Sequence, residues 1–301
     1  IKSKIKGLKK NGNYQILDVQ QQALKLLANS FYGYMGYPRA RWYRKECAES
    51  VTSFARMYIQ KVMKIAEEDF NLEVVYGDTD SLFVVVPPEN KRIIERFLGN
   101  VNKNLPGGLK LEYEGFYTRG IFVTKKRYAL MNKDDAITVK GLEFVRRDWA
   151  PIVKKTQEKV LRALLKDANT QKAANLVRKT ITAIKAGEVP LEDLTLYTQL
   201  TKRIDRYKNL EPHVEAAKKL QKSGREVTPG MIIGYVIISG KGKISHRATP
   251  VELANISDVD TKYYIENQIM PAVLRILESI GYNRGYLIDG MKQESIKKWF
   301  N

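Results

Sequence analysis

The stretch VVYGDTDSLFVVV, residues 74–86, consists of two apolar runs joined by a short polar turn. Because β-branched and aromatic residues flank the turn on both sides, the pattern predicts an antiparallel hairpin. Asp78 and Asp80 lie at its tip. Aspartate is common in turns for local hydrogen bonding, and that is the structural interpretation of the pair. The functional interpretation is that two repelling carboxylates need a hard cation, and oxygen ligands of this kind suit Mg²⁺.

Two acids are few for phosphoryl transfer by two metal ions, which sit about 3.5–4 Å apart and need a further carboxylate between them. We therefore expect a third acid from another strand. The segment LKLEYEGFY, residues 109–117, alternates apolar and charged residues and predicts a strand with Glu112 and Glu114 on one face.

The rest of the chain predicts an α+β fold. Helical periodicity starts after Asp18, a plausible helix cap, and recurs over residues 46–68 and 91–103. Two more strand-like runs, IFVTKKRYALM and ITVKGLEFV, complete a β-rich middle section with an antiparallel sheet and packed helices. From residue 149 amphipathic helices dominate, with one β-like interruption, MIIGYVIIS. We expect a boundary near residue 148 and a softer one near residue 35.

A second constellation lies on the first predicted helix. Lys25, Asn29 and Tyr32 stand at positions i, i+4 and i+7 and so share one helix face. A cation, an amide and an aromatic ring on one stripe could grip a triphosphate, a sugar and a base. Each residue alone is weak support, because a lysine on a helix is usually solvated.

Composition points to a polyanionic partner. The 301 residues include 52 Lys and Arg and 33 Asp and Glu, which gives a formal charge of +19. This excess favours nucleic acid; a Lys-rich heat-adapted surface would usually balance Lys with Glu. The single cysteine, Cys47, excludes an internal disulfide and fits a reducing compartment, so we expect a cytoplasmic location. No apolar run has the length of a membrane span.

Three motifs in order resemble a family B DNA polymerase of the archaeal type. They are K-x-x-x-N-S-x-Y-G, the sequence Y-G-D-T-D-S about fifty residues later, and KKRY at residues 125–128. Longer stretches such as NSFYGYMGYPRARWY, GLEFVRRDW and YYIENQIMPAVLRIL extend the resemblance over essentially the whole chain. The resemblance implies the end of the fingers at residues 1–35, a palm at 36–148, a mainly α-helical thumb at 149–290 and a clamp-binding tail at 291–301.

The resemblance also implies roles at the polymerisation site, which would use two Mg²⁺ ions. Asp80 would be the main metal ligand and Asp78 a weaker one, while Glu114, or less well Glu112, matches an acid near the metals. Lys25 would contact the incoming triphosphate, with Asn29 and Tyr32 shaping the nucleotide site.

Basic residues would hold the primer–template DNA. The resemblance places the KKRY residues along the DNA backbone and minor groove and two arginines at the palm–thumb junction; they are Lys125, Lys126, Arg127, Tyr128, Arg146 and Arg147. The alternative for KKRY is an exposed basic strand. In the context of the other family motifs, the interpretation that fits better is that these Lys and Arg residues position a DNA duplex.

Some parts of the family pattern are missing. The chain has no D-x-x-S-L-Y-P-S motif, which carries the other essential aspartate, and no exonuclease motifs, and it begins at Ile1. A β-α-β-β-α-β palm would also lack its first strand. We therefore predict a DNA-directed DNA polymerase that transfers nucleotides from dNTP to a primer 3′-hydroxyl only with a larger partner chain. That chain would supply the aspartate, the N-terminal region and the exonuclease. The present chain would be either the smaller subunit of a split polymerase or the C-terminal part of a cleaved or shortened one.

Two alternatives remain. A non-catalytic DNA-binding protein that tethers a sliding clamp is disfavoured, since the acids and Lys25 are all present. A reverse-transcriptase-like palm would show Y-x-D-D at the hairpin, where this chain has YGDTD.

The end of the chain carries a further motif. Gln293, Ile296, Trp299 and Phe300 match the sliding-clamp-binding pattern Q-x-x-[ILM]-x-x-aromatic-aromatic. A short helical turn would place the apolar residues on one face, able to enter a pocket. The structural alternative is a terminal amphipathic helix that caps the thumb.

Overall fold

A computed structural model describes residues 15–87, 90, 92–145 and 149–289. The chain divides into two compact units, Ile1–Glu114 and Gly115–Asn301. Among the described residues, no helix is both long and apolar enough to cross a membrane.

In its described residues, the first unit combines three helices with one hairpin. The helices are α1 (Gln15–Met35), α2 (Lys45–Glu68) and α3 (Arg92–Asn104); the strands are β1 (Val74–Asp78) and β2 (Ser81–Val84). Strands β1 and β2 pair antiparallel, with Asp78 opposite Ser81, so the predicted hairpin is confirmed. One face of the hairpin packs on a small core between α2 and α3, whose buried residues are Val62, Ala66, Leu72, Phe97 and Val101.

Two details of this unit differ from the sequence prediction. Helix α1 is already formed at Gln15, so Asp18 lies within its first turn, where it accepts a hydrogen bond from Gln22, and does not cap it. Residues 109–117 form no strand. A strand needs a neighbouring strand, and within the described residues none pairs with this segment. The Asn102 side chain instead binds both backbone groups of Leu111, donating to its oxygen at 3.0 Å and accepting from its nitrogen at 2.7 Å.

The second unit begins with a three-stranded antiparallel sheet in the order β3 (Arg119–Thr124), β4 (Arg127–Met131), β5 (Ile137–Lys140). The run IFVTKKRYALM is therefore two strands. The chain reverses at Lys125 and Lys126, and Lys126 has a φ of +62°. A 3-10 turn, Glu143–Val145, follows β5.

Helices and a second small sheet form the rest of this unit. The longer helices are α4 (Pro151–Leu165), α5 (Thr170–Lys185) and α7 (Pro212–Lys222), with short helices α6 (Leu191–Leu194), α8 (Ile244–Arg247) and α9 (Thr261–Tyr263). A π-helical segment (Tyr264–Ile269) leads into α10 (Met270–Glu278), and α11 (Arg284–Asp289) follows. The run MIIGYVIIS contains β7 (Ile232–Ile237), which pairs with β6 (Leu196–Gln199) and β8 (Ala248–Pro250).

A single apolar core joins the first sheet of this unit to its helices. Ala129 and Met131 of β4 belong to the same buried cluster as Val153 and Val160 of α4. This packing explains why the compact units divide at residue 114 and not near the expected position 148. The predicted palm, residues 36–148, spans both units, and the domain assignment stays a prediction.

Candidate active site

A tight turn links the two aspartates of the hairpin. The backbone nitrogen of Asp80 donates to the oxygen of Asp78 at 2.7 Å, and the Thr79 hydroxyl donates to Asp78 Oδ1 at 3.1 Å. Thr79 sits at the centre with a φ of +57°, an uncommon conformation for a β-branched residue. Asp78 is half-buried and Asp80 is exposed. Backbone strain of this kind concentrates at functional sites, which favours the functional interpretation of the pair.

The hairpin supplies two of the ligands that a magnesium site needs. Both are carboxylates, which are the donors that Mg²⁺ prefers, so the residues present fit the metal in kind. Glu112 and Glu114 are exposed in the irregular segment after α3. In the part of the chain that the structure describes, no three Asp, Glu, His or Cys side chains come close enough to hold a metal. Glu114 therefore does not complete a three-carboxylate cluster here, and its role stays a prediction.

The predicted nucleotide-binding residues form one exposed stripe. Lys25, Asn29 and Tyr32 lie on α1 at successive turns and are all exposed, with Tyr32 at 40%. Helix α1 buries none of its described residues. Nearby, Trp42 packs against Phe31 and Tyr34, with ring centroids 6.3 and 6.0 Å apart. The helix thus presents a cation, an amide and an aromatic ring together, as the spacing predicted.

The KKRY segment divides into two halves with different environments. Lys125 and Lys126 are exposed at the turn, whereas Arg127 and Tyr128 begin β4 and are half-buried. The Tyr128 ring packs on Phe122 at 5.7 Å. Arg127 donates to Glu143 Oε1 at 3.0 Å. The first two residues are therefore exposed to solvent, and the last two belong partly to the fold.

The sequence prediction missed Glu143, which pairs with Arg127 of this segment, and Gln157, which binds Glu143. Glu143 and Gln157 are both buried and hydrogen-bonded to each other. The available signal was a glutamate inside an otherwise apolar run, GLEFV, where a buried charge needs a partner.

Six other predicted residues lie outside the described part of the chain. They are Arg146, Arg147, Gln293, Ile296, Trp299 and Phe300.

The second unit buries a histidine that takes part in its packing. His213 packs edge-on against Tyr207, with ring centroids 5.6 Å apart. Burial lowers its pKa, and Glu211 offsets part of that effect. Burial thus favours the neutral form of the ring.

Comparisons with known proteins identify the family of this chain. The family model for DNA polymerase family B matches residues 1–280, and the chain belongs to that family. Within the family it is of the archaeal type. It is 48% identical to a DNA polymerase of Pyrococcus glycovorans, covering all of this chain and 40% of that protein. It is 45% identical to a DNA polymerase of Thermococcus gorgonarius, covering 94% of this chain and 38% of that protein.

A solved structure shares the fold. The structure of the family B DNA polymerase from the hyperthermophilic archaeon Pyrobaculum calidifontis matches with a TM-score of 0.66 and 38% identity. The match covers 94% of this chain and 36% of that one. The chain thus spans about two fifths of the length of these relatives.

Proposed function

We propose that this chain carries part of the nucleotidyl-transfer site of a DNA-directed DNA polymerase, which joins a dNTP to a primer 3′-hydroxyl. The observation that carries the proposal is the strained turn that holds Asp78 and Asp80 together at the hairpin tip. Asp80 and Asp78, with Glu114, would hold two Mg²⁺ ions. When bound, such ions activate the attacking oxygen and stabilise the leaving one.

The exposed stripe on α1 would bind the incoming nucleotide. Lys25 would neutralise the triphosphate, and Asn29 and Tyr32 would bound the sugar and base. Because these side chains lie one and two turns apart on one regular helix, their mutual spacing is fixed before the nucleotide arrives. That preorganisation reduces the entropy lost on binding.

The basic residues of the second unit would hold primer–template DNA by its phosphates. The exposed pair Lys125 and Lys126 supports this role, as does the net charge of +19. We extend it to Tyr128, Arg146 and Arg147 on the strength of the family motif; the same motif includes Arg127, whose guanidinium donates to Glu143 instead. Phosphate contacts position a duplex without reading its sequence, which suits an enzyme that copies any template.

We further propose that polypeptide outside these 301 residues completes the site, on the larger partner chain that the sequence predicts. The first unit exposes a large apolar surface, which supports the proposal that another polypeptide packs on it. On α1 alone, Ile16, Leu26 and Leu27 are 75%, 69% and 66% exposed. Patches of this kind mark interaction surfaces, and a two-stranded sheet is marginally stable without added strands or packing. The covering chain would bring the other catalytic aspartate and the exonuclease.

The tail would tether the enzyme to a sliding clamp through Gln293, Ile296, Trp299 and Phe300. The support for this part of the proposal is the sequence pattern at the end of the chain. Apolar anchors at this spacing suit docking of a short helical turn into a groove.

The salt dependence of DNA binding tests the proposed duplex contacts. The affinity of the 301-residue chain for a primer–template should fall linearly with salt on logarithmic axes, and equally for unrelated sequences. Lys125→Gln should lower the slope by about 1, as expected for one lost phosphate contact. The control, Lys133→Gln, removes the same charge from an exposed turn of the same sheet and should leave the slope unchanged. An affinity that does not change with salt concentration, or an equal change of the slope in both variants, would contradict the proposal.

A further inference from the structure

A buried carboxylate holds the third residue of the KKRY segment. Glu143 lies in the 3-10 turn after β5, and its side chain is 5% exposed. Its Oε1 accepts a hydrogen bond from Arg127 Nη1 at 3.0 Å, and the Arg127 side chain is 26% exposed. Ion pairs with a carboxylate are strong and directional when the guanidinium donates to it. The contact therefore fixes the Arg127 side chain at the start of β4.

A buried amide in turn holds the carboxylate. Gln157 of α4 is fully buried and donates to Glu143 Oε2 at 3.1 Å. The same amide donates to the oxygen of Ala272 in α10 at 2.7 Å, and its oxygen accepts from the nitrogen of Phe144 at 2.6 Å. Gln157 thus links the turn that bears Glu143 to two helices of the unit.

The backbone of the KKRY turn packs closely against Gly141, two residues before Glu143. Gly141 has a φ of +66°, and a Cβ built on it would lie 1.9 Å from the carbonyl oxygen of Lys126. Only glycine permits this approach, because any side chain would collide with backbone. The turn is therefore fixed by Gly141 on its backbone and by Glu143 through Arg127.

The burial of Glu143 decides what Arg127 can do. If Arg127 turned away to bind a phosphate, a nearly inaccessible carboxylate would lose this cation and keep, among its partners in the described residues, the Gln157 amide. Leaving a buried charge unpaired is strongly unfavourable. Arg127 is therefore retained by the protein, whereas Lys125 and Lys126 are exposed.

We propose that Glu143 and Gln157 are positioning residues that lock Arg127 and, through it, the KKRY turn against helices α4 and α10. This proposal rests on the DNA-binding function proposed above. In it, Arg127 orients the turn through its bond to Glu143 and does not itself bind DNA. The exposed lysines then bind the phosphates from a turn whose backbone is held rigid. A rigid turn supports affinity because less conformational freedom is lost when DNA binds.

Glu143→Gln separates this role from a direct phosphate contact. The variant keeps the shape of the side chain but gives it an NH₂ group, and both of its neighbours, Arg127 and Gln157, are donors. One hydrogen bond is therefore lost. We expect the affinity of the 301-residue chain for primer–template to fall at least about tenfold, with the slope against salt unchanged because no phosphate contact is removed. If Arg127 instead bound phosphate, removing the competing carboxylate would leave the affinity equal or tighter, and the proposal would be overturned.

Arg127→Lys supplies a second variant that does not depend on the folding of the first. It keeps the positive charge but loses the planar guanidinium that pairs with carboxylate. Positioning predicts a loss of affinity comparable to that of Glu143→Gln and a double variant little weaker than either single one. Affinity near that of the wild type for Arg127→Lys, or fully additive losses, would contradict the coupling.

A neighbouring buried polar residue serves as the matched control. Thr156 adjoins Gln157 on α4, is also buried, and donates to the oxygen of Ile152 outside this network. Thr156→Val should leave both affinity and slope unchanged. If the wild type itself shows no salt-dependent binding, the proposed function fails. If the wild type and Lys125→Gln behave as expected while Glu143→Gln binds normally, only the positioning role fails.

Discussion

Replacing Asp80 by asparagine is expected to lower the kcat of primer extension by the complete polymerase by about 10³-fold or more. Asparagine favours turns as aspartate does, so the hairpin should keep its shape. The charge that would hold Mg²⁺ at the exposed tip is lost. Asp78→Asn should cost less, about 10- to 100-fold, because Asp78 is half-buried and already accepts from Thr79. Single-turnover incorporation of one dNTP measures both effects.

The matched control is another aspartate of the same unit. Asp69 is exposed at the end of α2, so Asp69→Asn removes the same charge from a different place. Its kcat should equal that of the wild type, and all three variants should bind primer–template with wild-type affinity. If Asp80→Asn kept more than a tenth of the wild-type kcat, the hairpin would not be the metal site.

The second large effect concerns the 301-residue chain by itself. With Mg²⁺, dNTP and primer–template, it should extend primers at less than about 10⁻³ of the rate of the complete enzyme, since two carboxylates alone do not hold a pair of metal ions. Adding a larger polypeptide with the residues that relatives carry outside the match should restore synthesis. The readout is extended primer in a gel assay at fixed DNA concentration.

Assembly and chemistry can be separated in that assay. The larger polypeptide with its catalytic aspartate replaced by asparagine should still bind this chain but restore no synthesis. Leu27→Glu, which places a charge on the exposed apolar surface of α1, should weaken assembly; Gln22→Glu, on an exposed position of the same helix, should not. Efficient synthesis by the 301-residue chain alone would contradict the proposal that its site is incomplete.

Local patterns predicted the elements whose partners are close in sequence. The hairpin at residues 74–86 was predictable because both strands and the turn lie within thirteen residues, and α2 because its apolar positions recur at helical spacing. The hairpin places Asp78 and Asp80 at a turn, and helix α1 places Lys25, Asn29 and Tyr32 on one face, as expected.

Features that depend on distant parts of the chain were not predictable. Residues 109–117 alternate like a strand, yet a strand needs a neighbour, and Asn102 is the partner that the structure provides. The packing of β4 against α4 also joins residues that are distant in sequence, and no local pattern indicates it. The link from Arg127 through Glu143 to Gln157 joins residues 30 positions apart, and no local period reveals it.

The central claim is that the hairpin tip binds the catalytic metal, and localised cleavage by Fe²⁺ tests it directly. Fe²⁺ that replaces Mg²⁺ generates radicals that cut the backbone within a few ångströms of the site, and mass spectrometry locates the cuts. In the complete enzyme with primer–template and dNTP, we predict cuts around residues 76–82, suppressed by excess Mg²⁺ and absent in Asp80→Asn. Cuts that avoid the hairpin, or that persist unchanged in Asp80→Asn, would contradict the claim.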